Sequence, residues 1–185
     1  MRHIPTASQT VGPFFNFGLT TNAQLGKLAG PEVGGERIRL SFRVIDGDGA
    51  PAPGDVMIEI WQADGGGHYA HPLDEGSFHG FGRLETDLDG CCTFETIRPG
   101  RVPGPDGRLQ APHITALVFA RGLLKHLHTR VYFAGDPAND DDPVLSLVPA
   151  ERNGTLLARQ VEADAAAWSF DIVLQGDGET VFFAV

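Results

Sequence analysis

Leu109-Gln110-Ala111-Pro112-His113-Ile114-Thr115-Ala116-Leu117-Val118-Phe119-Ala120-Arg121 is apolar enough for an inner β-strand, yet a histidine opens its core and an arginine closes it. Strand side chains alternate between faces. This assigns His113, Thr115, Leu117, Phe119 and Arg121 to one face, and Ile114, Ala116, Val118 and Ala120 to the other. After Gly122-Leu123-Leu124, a second run, Lys125 to Phe133, places His126, His128, Arg130 and Tyr132 on one face. The histidines raise the question of a metal site.

Working outward, short strand-like runs recur on both sides. Glu36 to Ile45 alternates polar and apolar residues, and Val56 to Trp61 puts Val56, Ile58 and Ile60 on one side. Residues 62–82 read as a Gly- and His-rich loop. Cys92, Phe94 and Thr96 mark the next strand. Beyond the opening pair, Leu156–Val161, Trp168–Leu174 and Thr180–Phe183 predict three more. Asp-Gly and Pro-rich turns separate these segments, and only residues 145–152 suggest a helical turn. The pattern predicts an all-β sandwich in a single domain, with residues 1–35 as an N-terminal arm and 36–185 as the sandwich. Phe14, Phe15 and Phe17 in that Pro/Gly-rich arm need cover, from the chain's own sandwich or from a neighbouring subunit. The apolar C-terminal run, Val181 to Val185, is expected to be tied into a sheet or an interface.

Composition removes several function classes. A formal net charge of −10 disfavours nucleic acid and anionic membrane as partners. No apolar run reaches the length of a membrane span, and Met1 to Thr6 lacks the apolar core of a signal peptide, so a cytoplasmic protein is expected. Cys91 and Cys92 are adjacent and point to opposite strand faces, which disfavours a mutual disulfide. Asp136 to Asp142 reads as a solvated acidic loop, and its Asp140-Asp141-Asp142 lacks the alternation of a calcium site. Nucleotide-loop, nucleophile-elbow and zinc-protease motifs are absent.

On the residues alone, two readings of the histidines stay open. His126 and His128 have a chelation-competent spacing, and His113, His68 and His71 are further donors. The alternative is hydrogen-bonded histidines at a subunit contact. Arg121 is similarly divided between a surface arginine and a clamp for an anionic ligand, and Arg83 is equally ambiguous.

Across nearly the whole chain the sequence resembles the intradiol ring-cleaving dioxygenase family. The resemblance is carried by Thr6 to Phe14, Ile60 to Asp64 leading to Gly67-His68-Tyr69, Phe81-Gly82-Arg83, and Thr96 to Gly100. It continues through Ala111 to Ile114, Phe119 to Gly122, and Gly176 to Phe183. It implies a prealbumin-like antiparallel β-sandwich. It also implies a ferric site built from two tyrosines and two histidines, whose positions here are Tyr69, Val102, His113 and Thr115. Two of the four donors are gone, since valine has none and a threonine hydroxyl is a poor substitute for imidazole.

That loss points to the non-metal alpha subunit of a two-chain member. The implied partner is an iron-bearing beta subunit, with Fe3+ held by that partner, none expected in this chain, and a higher hetero-oligomer of such pairs. Ligation of 3,4-dihydroxybenzoate to the iron and insertion of O2 would yield 3-carboxy-cis,cis-muconate. The resemblance places Thr10, Gly12, Pro13, Phe14 and Arg121 on the shared substrate cavity, with Phe14 where tyrosine is usual. Competing expectations are an autonomous iron dioxygenase rebuilt around His126, His128 or Tyr132, and a purely structural subunit.

Overall fold

The computed structural model describes residues 7–12, 17–52, 56–70 and 78–184. Eight strands carry the chain: β1 (Arg37–Ile45), β2 (Val56–Gln62), β3 (Phe81–Glu85), β4 (Cys91–Ile97), β5 (His113–Ala120), β6 (Leu127–Phe133), β7 (Leu157–Val161) and β8 (Asp164–Val173). Their hydrogen-bonded order is β3-β2-β5-β6-β7-β8-β1-β4. β7 joins the two halves: it pairs with β6 at Leu157 and Ala158, then with β8 from Arg159 onward.

The two halves close over one core, as binary patterning requires. β1 buries Ile38, Leu40, Phe42 and Val44 and exposes most of the residues between them, while β5 contributes Ile114, Ala116, Val118 and Ala120. Phe42 stands at the centre, with the rings of Phe94 and Phe170 edge-on, each 5.8 Å away. Such pairs add about 0.5–1.5 kcal/mol beyond the area they bury. The all-β sandwich expected from the patterning is the fold observed.

Several details differ from the sequence reading. β3 falls partly in the predicted 62–82 loop. It is an edge strand carrying a glycine and mixed faces, so it lacks a clean alternation signal. The β1–β8 and β6–β7 pairings are parallel, whereas the others are antiparallel. Only a tight turn forces antiparallel pairing, and neither pair is joined by one. Residues 180–183 form no strand. They are held instead by single bonds, from Thr180 N–H to the Val173 carbonyl and from Phe183 N–H to the His128 carbonyl. The acidic loop contains a short 3-10 helix, Pro137–Asp141, capped by the Asp136 carboxylate.

Within the arm, residues from Thr20 onward cover the chain's own sandwich. Leu28 N–H donates to the Glu95 carbonyl, and the Arg37 guanidinium donates to the carbonyls of Ala29, Gly30 and Val33. Phe14 and Phe15 lie outside the described residues, and Phe17 is exposed. Both cysteines are free. Among the described residues no helix is long and apolar enough to cross a membrane.

Candidate functional site

β5 ends at Ala120, so the alternation that put Arg121 on the face of His113 does not reach it. Arg121 is exposed in the turn that follows. At 3.3 Å per residue the two residues sit roughly 25 Å apart along the chain. The predicted site residues therefore gather at opposite ends of β5.

At the first end, strand register does the gathering. Thr115 lies between Trp61 of β2 and Arg130 of β6, and His113 opposes Tyr132. Tyr69 stacks on Trp61, with centroids 6.0 Å apart and planes 3° from parallel. Val102 is buried, and its carbonyl accepts from Gln110 N–H at 2.8 Å. The loops carrying Tyr69 and Val102 are locked together by Gly100 N–H donating to the Asp64 carbonyl at 2.8 Å. This approach needs glycine on both sides. A Cβ on Gly100 would stand 2.6 Å from the Gly65 carbonyl oxygen, and one on Gly67 would stand 2.0 Å from that of Arg101. The four positions of the metal pattern thus lie on neighbouring strands and loops at this end of β5, and of the four Tyr69 alone lines the cavity that opens there.

Their chemistry does not suit a ferric ion. Val102 offers no donor atom, and Thr115 offers only a hydroxyl. The His113 Nδ1 sits 2.8 Å from the Ala111 carbonyl; since a carbonyl only accepts, Nδ1 carries the proton. Burial, and then the Arg130 charge, push the His113 pKa down to about 4, so the ring is neutral at pH 7. Tyr69 is 42% exposed, and partial burial raises its pKa while the Arg130 charge pulls it back.

Sequence reading missed the residues that hold this pocket. Arg130 donates from Nη1 to Gln110 Oε1 at 2.6 Å and lies 3.4 Å from the Tyr132 hydroxyl. That hydroxyl, buried and pushed to a high pKa chiefly by desolvation, donates to Asp142 Oδ1 at 3.1 Å. Asp142 also accepts from the backbone N–H groups of Ala111, Val144 and Leu145 at 2.7, 2.9 and 2.7 Å. It is fully buried, which corrects the reading of residues 136–142 as a solvated loop at its last residue. Asp142-Pro143, a turn signal, was the available clue.

At the other end of β5 lies a cleft of about 770 Å³. Thr10, Gly12, Phe119, His126, His128 and Phe183 line it. The Thr10 hydroxyl accepts from Gly122 N–H at 2.7 Å, so the arm meets the turn that carries Arg121. Thr10 and Gly12 line the cleft, whereas Arg121 does not and is linked to it through its neighbour Gly122; Pro13 and Phe14 lie outside the described residues. His126 packs against Phe119 with centroids 5.3 Å apart, and His128 meets the Phe183 ring edge-on at 6.3 Å. Burial, the Arg130 charge and His126 together lower the His128 pKa. Among the described residues no three His, Cys, Asp or Glu side chains group to hold a metal. Arg83 is paired with Glu59 at 2.6 Å, and His68 is exposed near Asp64, while His71 lies outside the described residues.

Residues 11–176 match the family described as Dioxygenase (Dioxygenase_C). The chain is 42% identical over 192 residues to the protocatechuate 3,4-dioxygenase alpha chain of Pseudomonas putida, covering 96% of this chain and 95% of that one. It is 35% identical over 159 residues to the protocatechuate 3,4-dioxygenase beta chain of Burkholderia cepacia, covering 79% and 67%. Among solved structures, it resembles the dioxygenase domain of a dioxygenase carbohydrate-binding protein fusion from Streptomyces sp. SirexAA-E. That match has a TM-score of 0.65 and 31% identity, over 93% of this chain and 99% of that one.

Proposed function

The chain belongs to the intradiol ring-cleavage dioxygenase family, and from that membership we propose that it is the non-metal alpha subunit of a protocatechuate 3,4-dioxygenase. In this reading an iron-bearing beta subunit supplies the Fe3+, and the pair, in a cytoplasmic hetero-oligomer, cleaves 3,4-dihydroxybenzoate with O2 to 3-carboxy-cis,cis-muconate. This chain contributes cavity shape, charge and assembly. The observation that carries the cavity role is the bond from Gly122 N–H to the Thr10 hydroxyl, which fastens the arm beside Arg121 at the cleft.

The division of β5 gives each end its part. The pocket around His113 lacks a ferric donor set, so a reacting centre has to come from elsewhere. At the far end, Thr10 and Gly12 line an open cleft and Arg121 is exposed beside it. A guanidinium is permanently charged and matched to carboxylates, which suits a substrate bearing a ring carboxylate. An autonomous dioxygenase rebuilt around His126, His128 or Tyr132 fits less well, because His126 and His128 have no third His, Cys, Asp or Glu grouped with them among the described residues and the Tyr132 hydroxyl is committed to Asp142.

The test is Arg121→Ala in the co-expressed pair. Loss of one charge-assisted contact should lower kcat/KM by about tenfold or more while iron content and native mass stay at wild-type values. Unchanged kinetics would remove Arg121 from the cavity.

A further inference from the structure

Loss of two donors accounts for a weak metal pocket, but it does not account for Arg130. This side chain projects from β6 directly opposite Thr115, on the face that carries His113 and Tyr132. It is held there by Gln110 Oε1 at 2.6 Å, and Gln110 is itself fixed through its backbone to Val102. The guanidinium is thus tied through Gln110 to the segment that carries Val102, and it stands on the strand position paired with Thr115. Its charge acts on the other two, Tyr69 and His113, and on Tyr132.

We propose that Arg130 is the pocket's resident cation: it occupies the space and supplies the positive charge that a metal ion would otherwise bring, and so bars metal even when donors are restored. The inference rests on the family reading above. A guanidinium stays protonated at any accessible pH, so it cannot withdraw its charge to admit a metal. A ferric ion among Tyr69, His113 and residues 102 and 115 would face that charge and be repelled by it. The pocket also supplies a counter-charge to suit a fixed cation. Arg130 contacts the Tyr132 hydroxyl, and the hydroxyl donates to the buried Asp142 carboxylate. The chain of contacts runs from positive to neutral to negative, and every member has a named partner.

The experiment co-expresses variants of this chain with the iron-bearing partner and measures iron per pair, with native mass confirming assembly. Val102→Tyr/Thr115→His should hold one iron per pair, as wild type does. Adding Arg130→Gln should raise this to two and add visible absorbance from the second site, whereas adding Arg130→Lys should leave it at one. A second iron with Arg130 still present would overturn the proposal. So would equal uptake by the Gln and Lys variants, or no second iron in an assembled Arg130→Gln triple variant. Independently of these combinations, Arg130→Gln alone should melt several degrees below wild type, with Arg130→Lys in between, because the buried chain to Asp142 loses its cation. A wild-type melting temperature for Arg130→Gln would also overturn it. Failure of the subunit reading would look different: the wild-type chain would carry its own iron or fail to pair.

Discussion

Replacing Asp142 with alanine tests whether one buried carboxylate holds the pocket end of the sandwich together. Its two oxygens accept from Ala111 N–H, Tyr132 O–H, Val144 N–H and Leu145 N–H at 2.7 to 3.1 Å. Alanine leaves all four donors without this acceptor, and Ala111, Tyr132 and Leu145 are buried. An unsatisfied buried donor costs about 1–3 kcal/mol, partly offset because the carboxylate no longer has to be desolvated. The net loss is about 3–5 kcal/mol, comparable to breaking a buried charged network. For a chain of this size that lowers Tm by roughly 6–20 °C. Asp142→Asn should cost less, about 1–3 kcal/mol, because one oxygen still serves Tyr132, Val144 and Leu145 and only the bond to Ala111 is lost. Thermal melts followed by the fluorescence of Trp61 and Trp168, at one fixed protein concentration because assembly also stabilises, read both variants. An alanine variant melting within about 1 °C of wild type would refute the argument.

His113 predicts an acid limb to stability. Its folded pKa of about 4 lies below the unfolded value near 6.5, so the unfolded chain takes up the proton first. Stability is intact above pH 6.5 and falls as pH drops from 6.5 towards 4, by about 3 kcal/mol at most. Urea titrations across that range should show His113→Asn with a flatter acid limb; an unchanged slope would assign the limb to other groups. The cysteines should separate by reactivity. Burial pushes the Cys92 thiol up to about 12, while Cys91 is only part-buried, so a thiol reagent should reach Cys91 in the native chain and Cys92 only in denaturant. Rapid native labelling of both would contradict the placement of Cys92 in the core.

How far the sequence could be read depended on where each residue's partners lie. The alternation in β1, β2 and β5 is a local signal, set by one face meeting the core, and it was legible residue by residue. β3 is an edge strand with mixed burial, so its pairing with β2 had no local signature. Val102 and Thr115 were legible because a missing donor shows in the residue type itself. Arg130, Gln110 and Asp142 were not, since their roles come from bonds spanning 20 to 31 positions that exist only after the sheet forms. Arg121 was misplaced by a single residue: β5 stops at Ala120, and strand parity fails at the turn.

In the proposed reading, this chain completes an active site whose iron belongs to another chain. Metal analysis combined with native mass, on the chain alone and then with the beta partner, tests it most directly. The expected result is no stoichiometric iron and no ring-cleaving activity for the chain alone, and one iron per pair with full activity once the partner is present. An isolated chain that is coloured, iron-loaded and active would contradict it.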